Sequence, residues 1–89
     1  MSVYFDDLGW KDYLYWQKLD RKKVKRINEL IDSILKDPQD GVGKPEPLRY
    51  DLQGCWSRRI DAENRLVYKW IEEDRCVVIL QCRYHYERR

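Results

Sequence analysis

The spacing of apolar residues changes once along this chain, and that change limits the folds that the chain can adopt. Before residue 38 the apolar residues recur at helical spacing, first from Trp10 onward and then after Asp20. Asp20 is a suitable N-cap for a second helix, whose apolar stripe consists of Val24, Ile27, Ile31, Ile34 and Leu35. Residues 38–47 contain three Pro and two Gly, which predicts a loop. We therefore expect a short strand at residues 3–5, two helices and then this loop.

After the loop the apolar period is two, which is typical of strands. Residues 48–53 and 56–60 predict an antiparallel pair, and two further strands are predicted at residues 65–71 and 76–83. The last of these is apolar on both faces, so we expect it in the middle of the sheet. A chain of 89 residues builds one core. The sequence thus predicts a single α+β domain over residues 1–89, with two N-terminal helices packed on one face of an antiparallel sheet and the other face partly open.

Charge and composition exclude several classes of protein. The chain has 18 Lys and Arg against 16 Asp and Glu, so its net charge of +2 is not that of a polycation. No apolar run approaches the roughly 18 residues of a membrane helix. The first residues also lack the basic-then-apolar pattern of a signal peptide. We therefore expect a cytoplasmic protein with no membrane partner.

The cysteines and the single histidine do not have the spacing of the common metal sites. Cys55, Cys76 and Cys82 show no CxxC spacing, and His85 is the only histidine. A usual zinc site requires four such ligands in a recognisable spacing. We therefore expect no metal site and no cofactor, and any chemistry that needs an imidazole has to use His85.

Several arginines lie on or beside the predicted strands, where β propensity favours other residues. They are Arg49, Arg59, Arg65 and Arg83. Two interpretations remain open: each arginine pairs with an acidic neighbour such as Asp51, Asp61 or Glu63, or the arginines together bind phosphate. The basic stretch at residues 18–26 likewise fits either a solvated helix face or a contact with a nucleic-acid backbone.

Two titratable residues have positions that suit proton transfer. Glu46 lies between two prolines, which favour extended geometry at Lys44 and at Glu46 itself. Such a carboxylate fits a preorganised general base, and it also fits an ordinary surface residue. His85 follows the last predicted strand between two tyrosines, where it fits a general acid or an incidental surface residue.

Together these residues match the needs of one reaction. Cleavage of RNA through its own 2′-hydroxyl requires a base, cations that stabilise the phosphorane charge, and an acid for the departing 5′-oxygen. Glu46, the arginines and His85 would supply one each. Tyr84 and Tyr86 could stack on unpaired bases.

Six segments of the chain, taken together and in order, have the pattern of a known family. They are Trp10 with DYLYWQ at residues 12–17, Lys25 with INELI at 27–31, GKPEPL at 43–48, WSRRI at 56–60, RLVY at 65–68 and CRYHY at 82–86. This combination resembles the Txe/YoeB toxins, which belong to the RelE-like superfamily of bacterial toxin–antitoxin systems. The resemblance runs nearly from end to end, although a single segment such as RLVY would be weak.

The resemblance implies a RelE-like fold and a ribosome-dependent endoribonuclease that enters the A site, cleaves translated mRNA and inhibits translation. It implies that Glu46 is the general base, Arg65 the phosphate stabiliser and His85 the general acid, with Tyr86 assisting. The further candidates for RNA or phosphate binding are Arg49, Arg59, Arg83 and Lys44. The implied partners are a cognate antitoxin, the bacterial ribosome and mRNA, and a homodimer is also open.

Two other functions remain as alternatives. One is a RelE-fold binding module or co-repressor that does not cleave RNA, and the other is a small ribonuclease that acts on free RNA. The chain also departs from the family pattern at one point. Family members commonly end at or just past the His-Tyr pair, whereas Glu87, Arg88 and Arg89 follow here.

Overall fold

The computed structural model describes residues 1–84, so His85 and Tyr86 lie outside the described residues. The strands are β1 (Ser2–Phe5), β2 (Glu46–Pro47), β3 (Trp56–Arg59), β4 (Arg65–Ile71) and β5 (Cys76–Gln81). The helices are α1 (Asp7–Leu19) and α2 (Arg21–Lys36), and a 3₁₀ turn covers Tyr50–Leu52. Neither helix of residues 1–84 combines the length and the apolar character that crossing a membrane requires.

The five strands form one sheet in the order β1-β5-β4-β3-β2. β5 lies between β1 and β4, which confirms the prediction that the most apolar segment is a central strand. The pairs β2–β3, β3–β4 and β4–β5 are antiparallel, whereas β1 runs parallel to β5. The sheet is therefore mostly antiparallel rather than wholly so. β1 can take the parallel direction because no hairpin joins it to β5.

Both helices pack on one face of the sheet, called here the helix face, as the sequence predicts; the opposite face is called the open face. The core between the layers includes Trp16, Ile27, Leu30, Ile34, Leu66, Tyr68, Val77 and Ile79. Asp20 caps α2 as expected, because its Oδ1 accepts a hydrogen bond from the Lys22 N–H at 3.0 Å. A Cβ at Gly9 would lie 2.3 Å from the carbonyl oxygen of Ile79. Glycine at this position therefore lets α1 lie directly against the backbone of β5.

The prediction of a strand at residues 48–53 is wrong. β2 is limited to Glu46–Pro47, and the Leu48 N–H still donates to the Cys55 carbonyl oxygen at 2.9 Å before the chain enters a tight turn. Tyr50 in this turn has a φ of 58°, which is incompatible with a strand. The apolar alternation is misleading here because Leu48 is buried whereas Tyr50 is 88% exposed, so the two residues share no buried face.

A buried arginine organises the loop between α2 and β2. Arg58, on the helix face of β3, has no exposed surface and makes five hydrogen bonds, as many as it has N–H groups. Its partners, at 2.7–3.1 Å, are the hydroxyl oxygens of Tyr68 and Ser33 and the carbonyl oxygens of Asp37, Asp40 and Val42. The loop therefore wraps around a guanidinium whose charge is satisfied by dipoles.

An ion pair joins α2 to the turn between β3 and β4. The Lys23 Nζ contacts Asp61 Oδ2, and the backbone N–H groups of Glu63 and Asn64 donate to Asp61 Oδ1 at 2.8 and 2.7 Å. Partial burial raises the pKa of Asp61, but the hydrogen bonds from Lys23, Glu63 and Asn64 outweigh this effect and lower the pKa to about 2. The ionised carboxylate therefore holds the turn in place against α2.

Replacing Arg58 with lysine should destabilise the domain strongly. Lysine has three donors in place of five, so at least two buried acceptors in the loop lose their partner, at about 1–3 kcal/mol each. We expect the free energy of unfolding, measured in urea by tryptophan fluorescence, to fall by about 2–5 kcal/mol. The matched control is Arg59→Lys on the neighbouring exposed residue, which should change it by less than about 0.5 kcal/mol. Equal effects of the two substitutions would contradict the role given to Arg58.

Asp61 should make the stability fall between pH 4 and pH 2. Its native pKa of about 2 lies below the ordinary value of 3.8, so its contribution is present above pH 4 and is lost as the carboxylate is protonated on the way to pH 2. Because the group is partly exposed and screened by solvent, we expect on the order of 1 kcal/mol.

The free energy of unfolding of Asp61→Asn should be measured by urea titration at several pH values. It should fall less steeply between pH 4 and pH 2 than that of the wild type. Asp32→Asn, at an exposed position of α2, is the control and should keep the wild-type slope. An unchanged slope in Asp61→Asn would show that the ion pair does not hold the turn.

Candidate active site on the open face of the sheet

The strand register places Glu46 on the open face. Glu46 lies opposite Ser57, Ser57 opposite Val67, and Val67 opposite Gln81, so these four residues form one row across the sheet. Residues directly opposite one another point to the same face. Ser57 and Val67 are 1% exposed and Gln81 is nearly as buried, whereas Glu46 is exposed. The exposed Glu46 carboxylate therefore lies at the edge of the sheet, at the end of a row of three buried residues.

Two of the predicted arginines lie beside this row. Arg59 and Arg65 are opposite each other, two residues along their strands from Ser57 and Val67. A shift of two residues keeps the same face and corresponds to about 7 Å along a strand. The open face thus brings Arg59 and Arg65 next to the row that contains Glu46, as the predicted site requires.

Arg65 is oriented by the turn that precedes it. Its Nη1 donates to three carbonyl oxygens, those of Asp61 at 2.8 Å, Asn64 at 3.2 Å and Ala62 at 3.4 Å. Within residues 1–84 no ion pair engages Arg49, Arg59 or Arg65, and Asp61 pairs with Lys23 instead. The described part of the chain therefore does not pair these three arginines with acidic neighbours, which was one of the two interpretations. Their charges are available to an anion.

The loop is fixed just before it reaches Glu46. Gly43 has a φ of 87°, and a Cβ there would lie 2.6 Å from Leu30 Cδ2. Its carbonyl oxygen accepts a hydrogen bond from the Arg59 N–H at 2.7 Å. The expected extended backbone at Lys44 is wrong, because its φ is 53° where the chain turns from the loop into β2. Glu46 is extended as expected, but it lies in a strand where the sequence predicted a loop, and the Lys44 side chain is exposed near the Arg59 end of the site.

Arg49 and Arg83 lie apart from the pair on β3 and β4. Arg49 is exposed at the start of the 3₁₀ turn, on the other side of Glu46 from Arg59 and Arg65. The Arg83 guanidinium lies 3.6 Å from the centre of the Tyr15 ring and 4.4 Å from that of Tyr84. The structure therefore divides the four predicted arginines into a central pair and two outlying residues.

The chain that leads to His85 is held from the helix face. Cys82 donates its backbone N–H to Asp12 Oδ2 at 3.0 Å, and its carbonyl oxygen accepts from the Trp16 indole N–H at 2.7 Å. Two residues later the Tyr84 carbonyl oxygen accepts from the Arg65 N–H at 2.9 Å. Residue 84 therefore runs beside Arg65. The predicted general acid His85, which is the next residue, and Tyr86 lie outside the described residues.

The basic stretch at residues 18–26 is partly used inside the fold. Lys23 pairs with Asp61, and Arg26 Nη2 donates to the Arg59 carbonyl oxygen at 3.2 Å. The remaining basic side chains are exposed; they are Lys18, Arg21, Lys22 and Lys25. A groove between the helices is lined by Gln17, Arg21, Val24, Lys25, Asn28 and Glu29. This groove is on the helix side of the sheet and takes no part in the candidate site.

The cysteines show no sign of nucleophilic or metal chemistry in the described part of the chain. All three are free thiols. Burial raises the pKa of the Cys55 thiol, and the charge of Lys69 lowers it in part, so the thiol stays a weak nucleophile. No three His, Cys, Asp or Glu side chains among residues 1–84 form a group that could hold a metal ion.

Sequence reasoning missed two residues near the site. Arg58 shares its strand face with Trp56 and Ile60, and this alternation was the available signal that Arg58 points into the core. Lys69 follows Arg65 at a spacing of four residues on β4, which places it on the open face. The alternation of residues along a strand was therefore enough to assign Arg58 to the helix face and Lys69 to the open face.

The family relations of the chain agree with the fold. A family model described as a YoeB-like toxin of bacterial type II toxin–antitoxin systems matches residues 5–86. A toxin YoeB from Streptomyces coelicolor is 56% identical over 86 residues, which cover 97% of this chain and 100% of that protein. The YoeB/ParE toxin from Agrobacterium tumefaciens has a solved structure with a TM-score of 0.93 and 43% identity, covering 97% of this chain and 100% of that one.

Two solved structures from Staphylococcus aureus show relatives in assemblies. A YoeB-YefM complex matches with a TM-score of 0.87 and 42% identity, and a YoeB dimer with a TM-score of 0.88 and 44% identity. Each match covers 97% of this chain and 98% of the matched chain. Since both the sequence model and the relatives span nearly the whole chain, it belongs to the family of YoeB-like toxins of bacterial type II toxin–antitoxin systems.

Proposed function

We propose that this chain is a ribosome-dependent endoribonuclease that enters the A site, cleaves translated mRNA through the RNA 2′-hydroxyl and so inhibits translation. One observation carries the proposal. Glu46 and the pair Arg59 and Arg65 occupy neighbouring rows of the open face, and neither arginine has an ion pair within residues 1–84. A carboxylate beside available cations suits a reaction in which a proton is removed while negative charge develops on phosphate.

Each candidate residue has one role in this reaction. Glu46 takes the proton of the 2′-hydroxyl, and the resulting oxygen attacks the adjacent phosphorus. Arg65 stabilises the charge that grows on the nonbridging oxygens, and His85, assisted by Tyr86, protonates the departing 5′-oxygen. The supporting contacts to RNA and phosphate come from Arg49, Arg59, Arg83 and Lys44. The products are a 2′,3′-cyclic phosphate and a 5′-hydroxyl.

The position of Arg65 supports its role. Its Nη1 is bound to three carbonyl oxygens of the 61–64 turn, so the guanidinium plane is held before the substrate arrives. A preorganised cation stabilises developing charge without reorganising during the reaction. The Arg65 N–H also donates to the Tyr84 carbonyl oxygen, so the last described residue lies beside Arg65.

The exposure of the site supports dependence on the ribosome. Glu46 and Arg59 are both exposed on the open sheet face, so the fold does not enclose these two side chains. Alignment of the 2′-hydroxyl with the phosphorus contributes a large share of such a reaction. An mRNA that is already ordered in the decoding site would arrive with that alignment.

The antitoxin is the second proposed partner. The YoeB-YefM complex from Staphylococcus aureus supports a cognate antitoxin for this chain, and the YoeB dimer from the same organism supports a homodimer. Arg59 and Arg65 would accept acidic side chains as readily as phosphate, so we place antitoxin contacts on the open face. The chain would act in the cytoplasm, where translating ribosomes are found.

Single substitutions of the three central residues should abolish cleavage without unfolding the domain. Glu46→Ala, Arg65→Ala and His85→Ala each remove one contribution to the chemistry, and loss of general acid–base catalysis alone costs about 100- to 10,000-fold. Cleavage on programmed ribosomes and growth arrest on induction should both be lost, while thermal melts stay close to the wild type. Arg21→Ala, an exposed arginine of α2, is the matched control and should remain toxic. Full toxicity of the three variants would refute the assigned roles.

The chemistry of the cut ends should identify the nucleophile. If the RNA 2′-oxygen attacks, fragments carry a 5′-hydroxyl and a cyclic or 3′-phosphate, and one 2′-deoxy nucleotide at the cut site stops cleavage. The ends should be mapped on mRNA cleaved with translating ribosomes and on the same mRNA alone. A 5′-phosphate would mean that water attacks, equal rates without ribosomes would favour a free-RNA nuclease, and no cleavage at all would favour the binding module.

A further inference from the structure

The open face continues past Glu46, away from the two central arginines, to a cation that the reaction does not use. Lys69 lies two residues beyond Val67 on β4, and the β3–β4 register brings Cys55 opposite it. Lys69 is exposed, and within residues 1–84 no hydrogen bond or ion pair engages its amine.

Beyond this cation a compact turn presents an aromatic side chain to solvent. Backbone hydrogen bonds from Leu52 to Arg49 at 3.2 Å and from Gln53 to Tyr50 at 3.0 Å close the turn. Tyr50 has a φ of 58°, which disfavours any residue with a Cβ, and it is 88% exposed. No packing of the ring therefore offsets the strain of its backbone. Strain that the fold does not explain is grounds for a functional hypothesis.

We propose that Lys69 and Tyr50 form a second RNA subsite, in which Lys69 binds a phosphate next to the cleaved one and Tyr50 stacks on an unpaired base beyond it. The subsite rests on the proposed function, since it extends the path of the strand that Glu46 would attack. Rows of the sheet two residues apart are about 7 Å apart, so Lys69 lies one row beyond Glu46. The exposed Arg49 flanks Tyr50 along the same path.

Single-stranded RNA fits this surface because the surface combines cations with an exposed ring. Proteins that hold unpaired strands follow the backbone with positive side chains and stack bases on aromatic ones. From Arg59 and Arg65 through Lys69 to Arg49, cations line the path, and Tyr50 supplies the platform at its end. An acidic antitoxin segment would use the cations and leave the ring without a stacking partner.

Cleavage on programmed ribosomes should respond to both residues through substrate binding. Tyr50→Ala should lower kcat/KM about 5- to 100-fold, and Tyr50→Phe, which keeps the ring, should restore most of it. Lys69→Met should lower kcat/KM and reduce the salt dependence by about one unit of slope. The rate at saturating mRNA–ribosome complex should change little, because neither side chain touches the reacting atoms. Lys36→Met, at an exposed position of α2, is the matched control for the lysine and should behave as wild type.

Modified mRNAs test which group each residue contacts. One abasic nucleotide, moved through the positions near the cut site, should at one position remove the effect of Tyr50→Ala. A neutral methylphosphonate moved in the same way should remove the effect of Lys69→Met. If both effects persist at every position, or if the substitutions weaken only the binding of the antitoxin, the subsite is wrong.

Failure of the subsite and failure of the proposed cleavage are distinguishable. The Glu46→Ala protein should bind a short fluorescein-labelled single-stranded RNA, and adding Tyr50→Ala should weaken that affinity, measured by anisotropy, about 5- to 100-fold. If the wild-type protein cleaves no mRNA although RNA affinity depends on Tyr50, the proposed cleavage alone is overturned. Cleavage and RNA affinity that are indifferent to Tyr50 and Lys69 would overturn the subsite alone.

Discussion

The hydrogen bonds of the buried Arg58 guanidinium are the interaction on which the candidate site depends. The guanidinium is fully buried, and its five hydrogen bonds end on oxygens of hydroxyl and carbonyl groups rather than on a carboxylate. Three of those oxygens belong to the loop after α2, so the loop takes its shape from a side chain of β3. A buried charge without partners is very costly. The chain therefore closes this loop around Arg58, and the same loop delivers Glu46 to the edge of the sheet.

The two segments that reach the site are both anchored on the opposite side of the sheet from the proposed substrate. Arg58 anchors the loop before Glu46, while Asp12 and Trp16 of α1 hold both backbone polar groups of Cys82 before the chain passes Arg65. The helix layer thus supports both segments from the side of the sheet opposite Glu46 and Arg65. Substitutions in the helices can therefore change the geometry of a surface that they do not contact.

The sequence predicted the layers of the fold better than the details of the site. The change of apolar period after residue 38 and the N-cap at Asp20 were sufficient for the helices, because local spacing determines an amphipathic helix. The alternation at residues 48–53 could not be distinguished from a turn, since Tyr50 contributes no buried surface. The role of Arg58 was hidden because it depends on carbonyl groups that are distant in sequence. Placing Glu46 beside the arginines required the strand register, which no local pattern contains.

The position of β5 sets the order in which this fold can be completed during synthesis. β5 is the last strand in the chain, yet it is the partner of both β1 and β4 and supplies Val77 and Ile79 to the core. A nascent chain that has emerged only as far as β4 has helices without a complete surface to pack on, and β1 has no neighbour. The N-terminal elements must therefore wait for residues close to the C-terminal end of the domain. The sheet face that carries Glu46, Arg59 and Arg65 therefore belongs to an unfinished sheet until β5 has been synthesised.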